Sequence, residues 1–218
     1  MEYVNFRPWV GKNYKTTGYK GKRILILGES HYCGNLSEGK CPLCSRDYMQ
    51  ADCHSFTENV VFDYVYHYRG ESYEQTFLCF ERAIIGKKLS QEEREDFWES
   101  VIFYNYLQFS QSGPHRKLQQ VNWEHSELAF KELLEFYLPD LIIVWGARLY
   151  NDVLPNWGGV GSKLYINEND CTDIWTYTIK GKNIPAMKVL HPSSPRGKCW
   201  PFWHEFHKKF LNLEKMNS

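Results

Sequence analysis

Residues 23–32 read Arg23-Ile24-Leu25-Ile26-Leu27-Gly28-Glu29-Ser30-His31-Tyr32, an apolar run followed at once by polar side chains. The run is continuous rather than alternating, which is typical of a strand buried on both faces of a parallel sheet. Three more apolar runs end in the same abrupt way, and two of them are also continuous. They are residues 101–104 before Asn105, residues 141–145 before Gly146, and residues 186–190 before His191.

Helical patterns separate these four predicted strands. Ser90 and Glu93 form a capping-box sequence, in which each side chain binds a free backbone amide at a helix start. Strands that alternate with helices favour an α/β fold, and we predict a three-layer α/β/α domain around a central, mainly parallel four-stranded sheet. Residues 174–179 alternate in polarity, which indicates an additional antiparallel strand or hairpin. Helices are predicted over about residues 90–100, 123–137, 147–154 and 201–213.

The composition excludes several classes of protein. Hydrophobic residues make up 43% of the sequence and aromatic residues 17%, so the chain is not a disordered polyelectrolyte. No apolar run approaches the roughly 18 residues of a membrane helix, and the N-terminus lacks the pattern of a signal peptide. We therefore expect one cytoplasmic domain over residues 1–218, monomeric and without a membrane partner.

Charge is balanced overall but not along the chain. The 26 Lys and Arg equal the 26 Asp and Glu, which argues against a purely electrostatic nucleic-acid binder. Residues 1–30 carry 6 basic and 2 acidic side chains, and residues 180–218 carry 8 and 2, whereas residues 71–100 carry 4 and 8. If the two basic ends meet in space, one face of the protein is positive.

Polar residues follow each of the four predicted strands, and ligands of open α/β sheets bind outside the carboxyl ends of the strands. These ends, with Pro139-Asp140 before the third strand, resemble the uracil-DNA glycosylase superfamily over about residues 20–210. The His191-Pro192-Ser193-Ser194-Pro195 element is the most specific part, and residues 28–32 are the next. The resemblance implies an α/β/α fold, DNA as the partner, and hydrolysis of the N-glycosidic bond of a flipped, damaged or modified base.

The resemblance also implies roles for individual residues. His191 corresponds to a histidine that stabilises charge on the leaving base, and Asn105 to an asparagine that hydrogen-bonds the flipped base. Tyr32 corresponds to a tyrosine that walls the base pocket. Arg196 lies in the loop that enters the minor groove in the superfamily. The substrate-binding residues implied in this way are Gly28, Ser30, Tyr32, Asn105, Ser193 and Arg196.

One position departs from the superfamily pattern. The best-known members have an aspartate two residues after the motif glycine, where this sequence has Ser30, and a neutral hydroxyl supplies neither the charge nor a good base. Glu29 and His31 are the candidate catalytic replacements; otherwise both only hydrogen-bond the loop. Two alternatives stay open. One is a catalytically inactive binder of nucleic acid or a nucleobase, and the other is a small-molecule hydrolase with Ser30 and His31 as nucleophile and base.

Four cysteines cluster between residues 33 and 53. Cys41-Pro42-Leu43-Cys44 has the spacing of a metal-binding knuckle, and two further thiolates, or one thiolate and His54, complete a tetrahedron. Zinc is the first prediction and an iron–sulfur cluster the second; unlinked thiols and disulfides are the alternatives. We expect the metal to stabilise an insertion over about residues 33–63. The predicted ligands are Cys33, Cys41, Cys44 and Cys53.

Overall fold

The computed structural model describes residues 1–32, 51–111, 120–157, 159–197 and 199–213. No helix in these ranges is long and apolar enough to cross a membrane. The fold is α/β. The strands are Trp9–Val10 (β1), Ile24–Gly28 (β2), His31–Tyr32 (β3), Ile102–Asn105 (β4), Ser110–Gln111 (β5), Leu141–Trp145 (β6), Ser162–Tyr165 (β7), Cys171–Ile179 (β8) and Lys182–Val189 (β9). The helices are Phe56–Tyr66 (α1), Glu74–Ile85 (α2), Gln91–Trp98 (α3), Gln120–Tyr137 (α4) and Trp200–Leu211 (α5), with a 3₁₀ turn at Ala51–Ser55 and a π-helical turn at Leu149–Val153.

The main sheet is mixed and has seven strands in the order β1-β4-β2-β6-β9-β8-β7. The four predicted strands are β2, β4, β6 and β9, and they lie next to one another and run parallel. The predicted four-stranded sheet is nevertheless wrong in size. It omits antiparallel β1 at one edge, and it omits β7, which extends the other edge beyond β8. The antiparallel strand predicted from alternation is confirmed as β8.

Side chains alternate along each central strand, so the sheet packs against a core on each face. Ile24 and Ile26 belong to a core that also contains residues of α1, α2, α3 and α5. Leu25 and Leu27 belong to a second core, which contains residues of α4. All five residues of β2 are buried, as are all five of β6. This burial on both faces is the physical reason for the continuous apolar runs.

The sequence pattern predicts helix α3 but does not predict helix α1. In α3 the hydroxyl of Ser90 accepts the N–H of Glu93 at 3.2 Å, and the carboxylate of Glu93 accepts the N–H of Ser90 at 2.9 Å, which confirms the capping box. The pattern does not predict α1, which begins inside the expected insertion at residues 33–63. Val61, Tyr64 and Val65 of α1 are fully buried. The part of the expected insertion from α1 onward therefore contributes to the core, and the insertion itself stays a prediction.

A carboxylate at the amino edge of the sheet ties three strands together. Asp140, just before β6, accepts the backbone N–H of Arg23 at 2.7 Å and its guanidinium at 3.0 Å. It also accepts a hydrogen bond from the ammonium of Lys182, at the start of β9. Burial alone would raise the pKa of Asp140, but the hydrogen bonds from Arg23 and Lys182 outweigh it and lower the pKa to about 2.

We expect Asp140→Asn to lower the free energy of unfolding by about 1–2 kcal/mol at pH 7, because the amide loses the charge that binds Arg23 and Lys182. The folded-state pKa lies below the ordinary value of 3.8, so this stabilisation is present above that value and is lost as the pH falls through about 2. Urea unfolding of both proteins across this pH range measures the difference. Asp96→Asn, at an exposed carboxylate, is the control; an equal loss there contradicts the prediction.

Candidate functional site

The carboxyl ends of the four central strands lie side by side along one edge of the sheet, which we call the carboxyl edge. In the order β4-β2-β6-β9, these strands end at or just before Asn105, Gly28, Gly146 and His191. Gly28 pairs with Asn105, and the N–H of Gly146 donates to the carbonyl of Val189 at 2.8 Å. The structure thus brings all four predicted strand ends together.

Gly28 leaves room for the side chain of Asn105. A Cβ atom at position 28 would lie 2.2 Å from Oδ1 of Asn105 and 3.1 Å from the ring of Phe103. The carboxamide of Asn105 therefore lies directly over the backbone of Gly28. Position 28 requires glycine if this amide is to stay at the carboxyl edge.

Hydrogen bonds continue from β2 and β4 into the loops that follow them. The N–H groups of residues 106 and 107 donate to the carbonyls of residues 28 and 29 at 2.9 and 2.8 Å. Gln108 is fully buried; its Nε2 donates to the carbonyl of Asn105 at 2.9 Å, and its Oε1 accepts the N–H of Phe6 at 2.9 Å. Through Gln108, the N-terminal segment thus stabilises the backbone of Asn105.

Glu29 forms an ion pair with Arg148, for which no sequence motif indicates a role. Arg148 follows the turn after β6, where Gly146 has a φ of 109°, a conformation that favours glycine. The side chain of Glu29 is 17% exposed and that of Arg148 is 38% exposed. The pair joins the ends of β2 and β6. It holds a carboxylate at the end of β2, one of the two strands that lie between β4, which ends at Asn105, and β9, which precedes His191.

His191 has a defined tautomer because of its neighbour Ser193. The backbone N–H of Ser193 donates to Nδ1 of His191 at 3.3 Å, and the Ser193 hydroxyl lies 2.7 Å from the same atom. Nδ1 is therefore an acceptor, and the proton of the neutral ring is on Nε2. His191 is exposed at the surface, but protein atoms surround much of its imidazole ring. This partial desolvation lowers the pKa of the ring. At neutral pH the ring is uncharged and offers an N–H donor.

His31 lies inside the protein rather than at its surface. It is 3% exposed, and its ring packs 4.2 Å from the ring of Phe6. Its Nε2 is 2.7 Å from the hydroxyl of Thr57 and 3.2 Å from Nδ2 of Asn105. Burial lowers the pKa of His31 to about 3, so the ring stays neutral at ordinary pH. The role of His31 as a substitute base stays a prediction; its burial and low basicity favour the alternative, in which it only hydrogen-bonds its surroundings. The structure makes it a support that orients Asn105.

The other predicted substrate-binding residues differ in exposure. Tyr32 is 47% exposed and belongs to β3, which forms a short parallel pair with β5. Ser30 is half-buried, whereas Ser193 and Arg196 are exposed in their loops. Thr57 and Gln108 support the candidate site but are not predicted from the sequence. No local sequence signal marks them, because their roles come from contacts with distant parts of the chain.

Three of the four predicted metal ligands, Cys33, Cys41 and Cys44, lie outside the described residues. Cys53 lies within them as a half-buried free thiol. Nδ1 of the adjacent His54 is 2.6 Å from the carbonyl of Asn5 and donates to it, which leaves Nε2 available as a ligand. In the ranges that the structure covers, no group of three or more metal-ligating side chains comes together.

Comparison with known proteins adds no family assignment. No protein-family model matches the sequence, and no curated protein is similar enough to count as a match. The geometry of the carboxyl edge is therefore the basis for a functional proposal.

We expect Gly28→Ala to lower the free energy of unfolding by about 1–3 kcal/mol and to displace the amide of Asn105, because the new methyl group meets its oxygen. Urea unfolding measures the first effect, and the side-chain amide resonances of Asn105 report the second. Gly161→Ala is the matched control, since the nearest atom to a Cβ there lies 3.6 Å away. Unchanged stability and unchanged Asn105 resonances in Gly28→Ala would contradict the close packing described above.

Proposed function

We propose that the protein hydrolyses the N-glycosidic bond of a flipped, damaged or modified base in DNA. The main support is the joint position of the Asn105 amide and the His191 imidazole on the carboxyl edge, with Glu29 on the strand next to that of Asn105. An amide that reads a base, a donor for the leaving base, and a carboxylate are the groups that this reaction uses. Helices on both faces of the sheet also fit the three-layer α/β/α architecture of the uracil-DNA glycosylase superfamily.

Asn105 is the group that we assign to base recognition. Its amide offers a donor and an acceptor, which match neighbouring acceptor and donor atoms on the edge of a base. One N–H of this amide is directed at Nε2 of His31, so Oδ1 and the second N–H remain for a ligand. Thr57 holds His31 in turn. We therefore treat His31 and Thr57 as positioning residues, which set the direction of the amide without contacting the base.

The bond between the base and the deoxyribose breaks with negative charge on the base and positive charge on the sugar. The Nε2–H of His191 supplies a donor for the base. Glu29 supplies a carboxylate for the sugar cation or for the attacking water, which the hydroxyl of Ser30 does not. Arg148 holds Glu29 at the edge, and the exposed Arg196 is available for a backbone phosphate.

Oligonucleotides that carry a panel of altered bases, scored for abasic sites in single and double strands, test this function. We expect release of at least one base, and we expect His191→Ala to slow it by about 100-fold or more, the usual effect of removing one such donor. His67→Ala is the control, because His67 is exposed at the end of α1, away from the carboxyl edge. An unchanged rate in His191→Ala, or no base release by folded protein, contradicts the proposal.

A catalytically inactive binder of nucleic acid or a nucleobase is the second candidate. The ion pair between Glu29 and Arg148 favours it, because a carboxylate already paired with an arginine stabilises a sugar cation less. Tight binding of a base-containing oligonucleotide without base release, lost in Asn105→Ala, distinguishes this candidate from the enzyme.

We also propose that the Cys-rich segment binds zinc, on the evidence of its Cys-x-x-Cys spacing and of the free Cys53 thiol beside His54. We expect elemental analysis to find about one zinc per chain, and the double variant Cys41→Ser/Cys44→Ser to lose it. Cys171→Ser removes an exposed free thiol elsewhere and should keep the metal. Iron with visible absorption would point to a cluster instead, and a folded protein without metal contradicts both assignments.

A further inference from the structure

The N-terminal segment lies against the residues that support Asn105 before the chain enters β1. We call residues 2–7 the N-terminal strap. At its start, the N–H groups of residues 2 and 3 donate to the carboxylate of Glu132 on α4 at 2.5 and 2.9 Å. At its end, the N–H of Arg7 donates to the carbonyl of His54 at 2.8 Å. The strap is therefore attached at both ends, to α4 and to the turn that precedes α1.

Phe6 lies in the middle of the strap, against the imidazole of His31. Phe6 is fully buried, but it is not among the residues of either core of the sheet. Its ring centre lies 4.2 Å from that of His31, and the two ring planes are tilted by 35°. The ring of Phe56 meets His31 edge-on, with the ring centres 4.9 Å apart. His31 thus contacts two aromatic rings, one from the strap and one from α1.

Packing sets the orientation of the His31 ring, because the hydrogen bonds of this ring meet at a single atom. Nε2 lies 2.7 Å from the hydroxyl of Thr57 and 3.2 Å from Nδ2 of Asn105. Nδ1 is buried and forms no hydrogen bond with any residue that the structure describes. Hydrogen bonds at one atom restrain that atom but leave the tilt of the ring to its neighbours. The closely packed ring of Phe6 therefore helps to set the direction from which Nε2 meets the Asn105 amide.

Gln108 gives the strap a second connection to Asn105. Nδ2 of Asn5 donates to the carbonyl of Gln108 at 3.1 Å, and the N–H of Phe6 donates to its Oε1 at 2.9 Å. Nε2 of Gln108 in turn donates to the carbonyl of Asn105 at 2.9 Å. The strap therefore supports the backbone of Asn105 through Gln108 and its side chain through His31. Phe6 takes part in both connections, one through its N–H and the other through its ring.

We propose that Phe6 is a positioning residue for base recognition. Its ring holds the His31 imidazole in the orientation in which Nε2 accepts the amide N–H of Asn105, and its own N–H holds Gln108. The role in recognition rests on the proposed function, since Asn105 contacts a base only if that function is right. The effect of Phe6 on the direction of the amide does not depend on it.

Phe6→Leu tests the effect on the amide, because leucine is apolar but lacks the flat ring. We expect the side-chain amide resonances of Asn105, assigned with Asn105→Ala, to shift or broaden as the His31 ring gains freedom to tilt. Phe210→Leu is the matched control and should leave these resonances in place. Phe210 is fully buried in α5, about 15 Å along the helix from its start near the His191 loop. If circular dichroism shows that Phe6→Leu is unfolded, Phe6→Met carries the same expectation.

Base release distinguishes a positioning role from a loss of stability. We compare the two altered bases that the unchanged protein releases fastest from oligonucleotides. Phe6→Leu should slow release of the first base by about tenfold, the effect of one weakened hydrogen bond, and should change the ratio of the two rates. A smaller folded fraction would instead slow both reactions equally. In protein that already carries Asn105→Ala, Phe6→Leu should slow release no further.

The results that would overturn the proposal differ for its two parts. Unchanged Asn105 resonances in folded Phe6→Leu, or an equal shift in Phe210→Leu, would overturn the effect on the amide. Equal slowing for both bases, repeated in the Asn105→Ala background, would overturn the role in recognition. No base release by any variant, together with the expected shift in Phe6→Leu, would contradict the proposed function and support the positioning of the amide.

Discussion

Parallel hydrogen bonding between β2 and its neighbours β4 and β6 determines the position of the candidate site. β2 and β6 are buried along their whole length, so a slip of one residue would move every apolar side chain to the opposite core. Packing within the sheet therefore sets the pairing of Gly28 with Asn105. Because parallel strands point in one direction, the same packing also selects which polar residues meet at the carboxyl edge. The hydrogen bonds from Arg23 and Lys182 to Asp140 reinforce this register at the amino edge of the sheet.

Several residues at the carboxyl edge have unfavourable local free energies, which the packing of the core offsets. The Nδ1 atom of His31 is buried without a hydrogen-bond partner, which costs about 1–3 kcal/mol. Gly28 gives up a side chain on a buried strand, and Gly146 adopts a backbone conformation that most residues avoid. These features occur where Asn105 is oriented and where Glu29 meets Arg148. Local cost is often concentrated at functional sites, and here it coincides with the groups that the proposed reaction needs.

The sequence predicts the parts of this structure that depend on local pattern. Continuous apolar runs identify β2, β4 and β6, and a run interrupted by Lys188 identifies β9. Alternation identifies β8, and the capping box at Ser90 identifies α3. The two-residue strand β1 escapes prediction because only its pairing with β4 makes it a strand. Helix α2 is not predicted because the side chain of its N-cap residue, Tyr73, forms no capping hydrogen bond. At the site, the strand-end positions are predictable, but the burial of His31 is not. It depends on Thr57 and Asn105, which lie 26 and 74 positions away in the sequence.

The excess of basic residues in the two end segments of the chain overstates the positive electrostatic field that these segments produce. Many of their basic side chains are paired: Arg7 with Glu58, Lys12 with Glu99, Arg23 and Lys182 with Asp140, and Lys188 with Asp173. Lys20 and Lys208 lie near the opposite end of the sheet, far from the strand ends, and Lys208 is paired with Glu205. Among the described residues at the carboxyl edge, the cations are Arg148, itself paired with Glu29, and the exposed Arg196. In this part of the site, the recognition that we propose depends on hydrogen bonds and shape more than on net charge, because its main groups are an amide and a neutral imidazole.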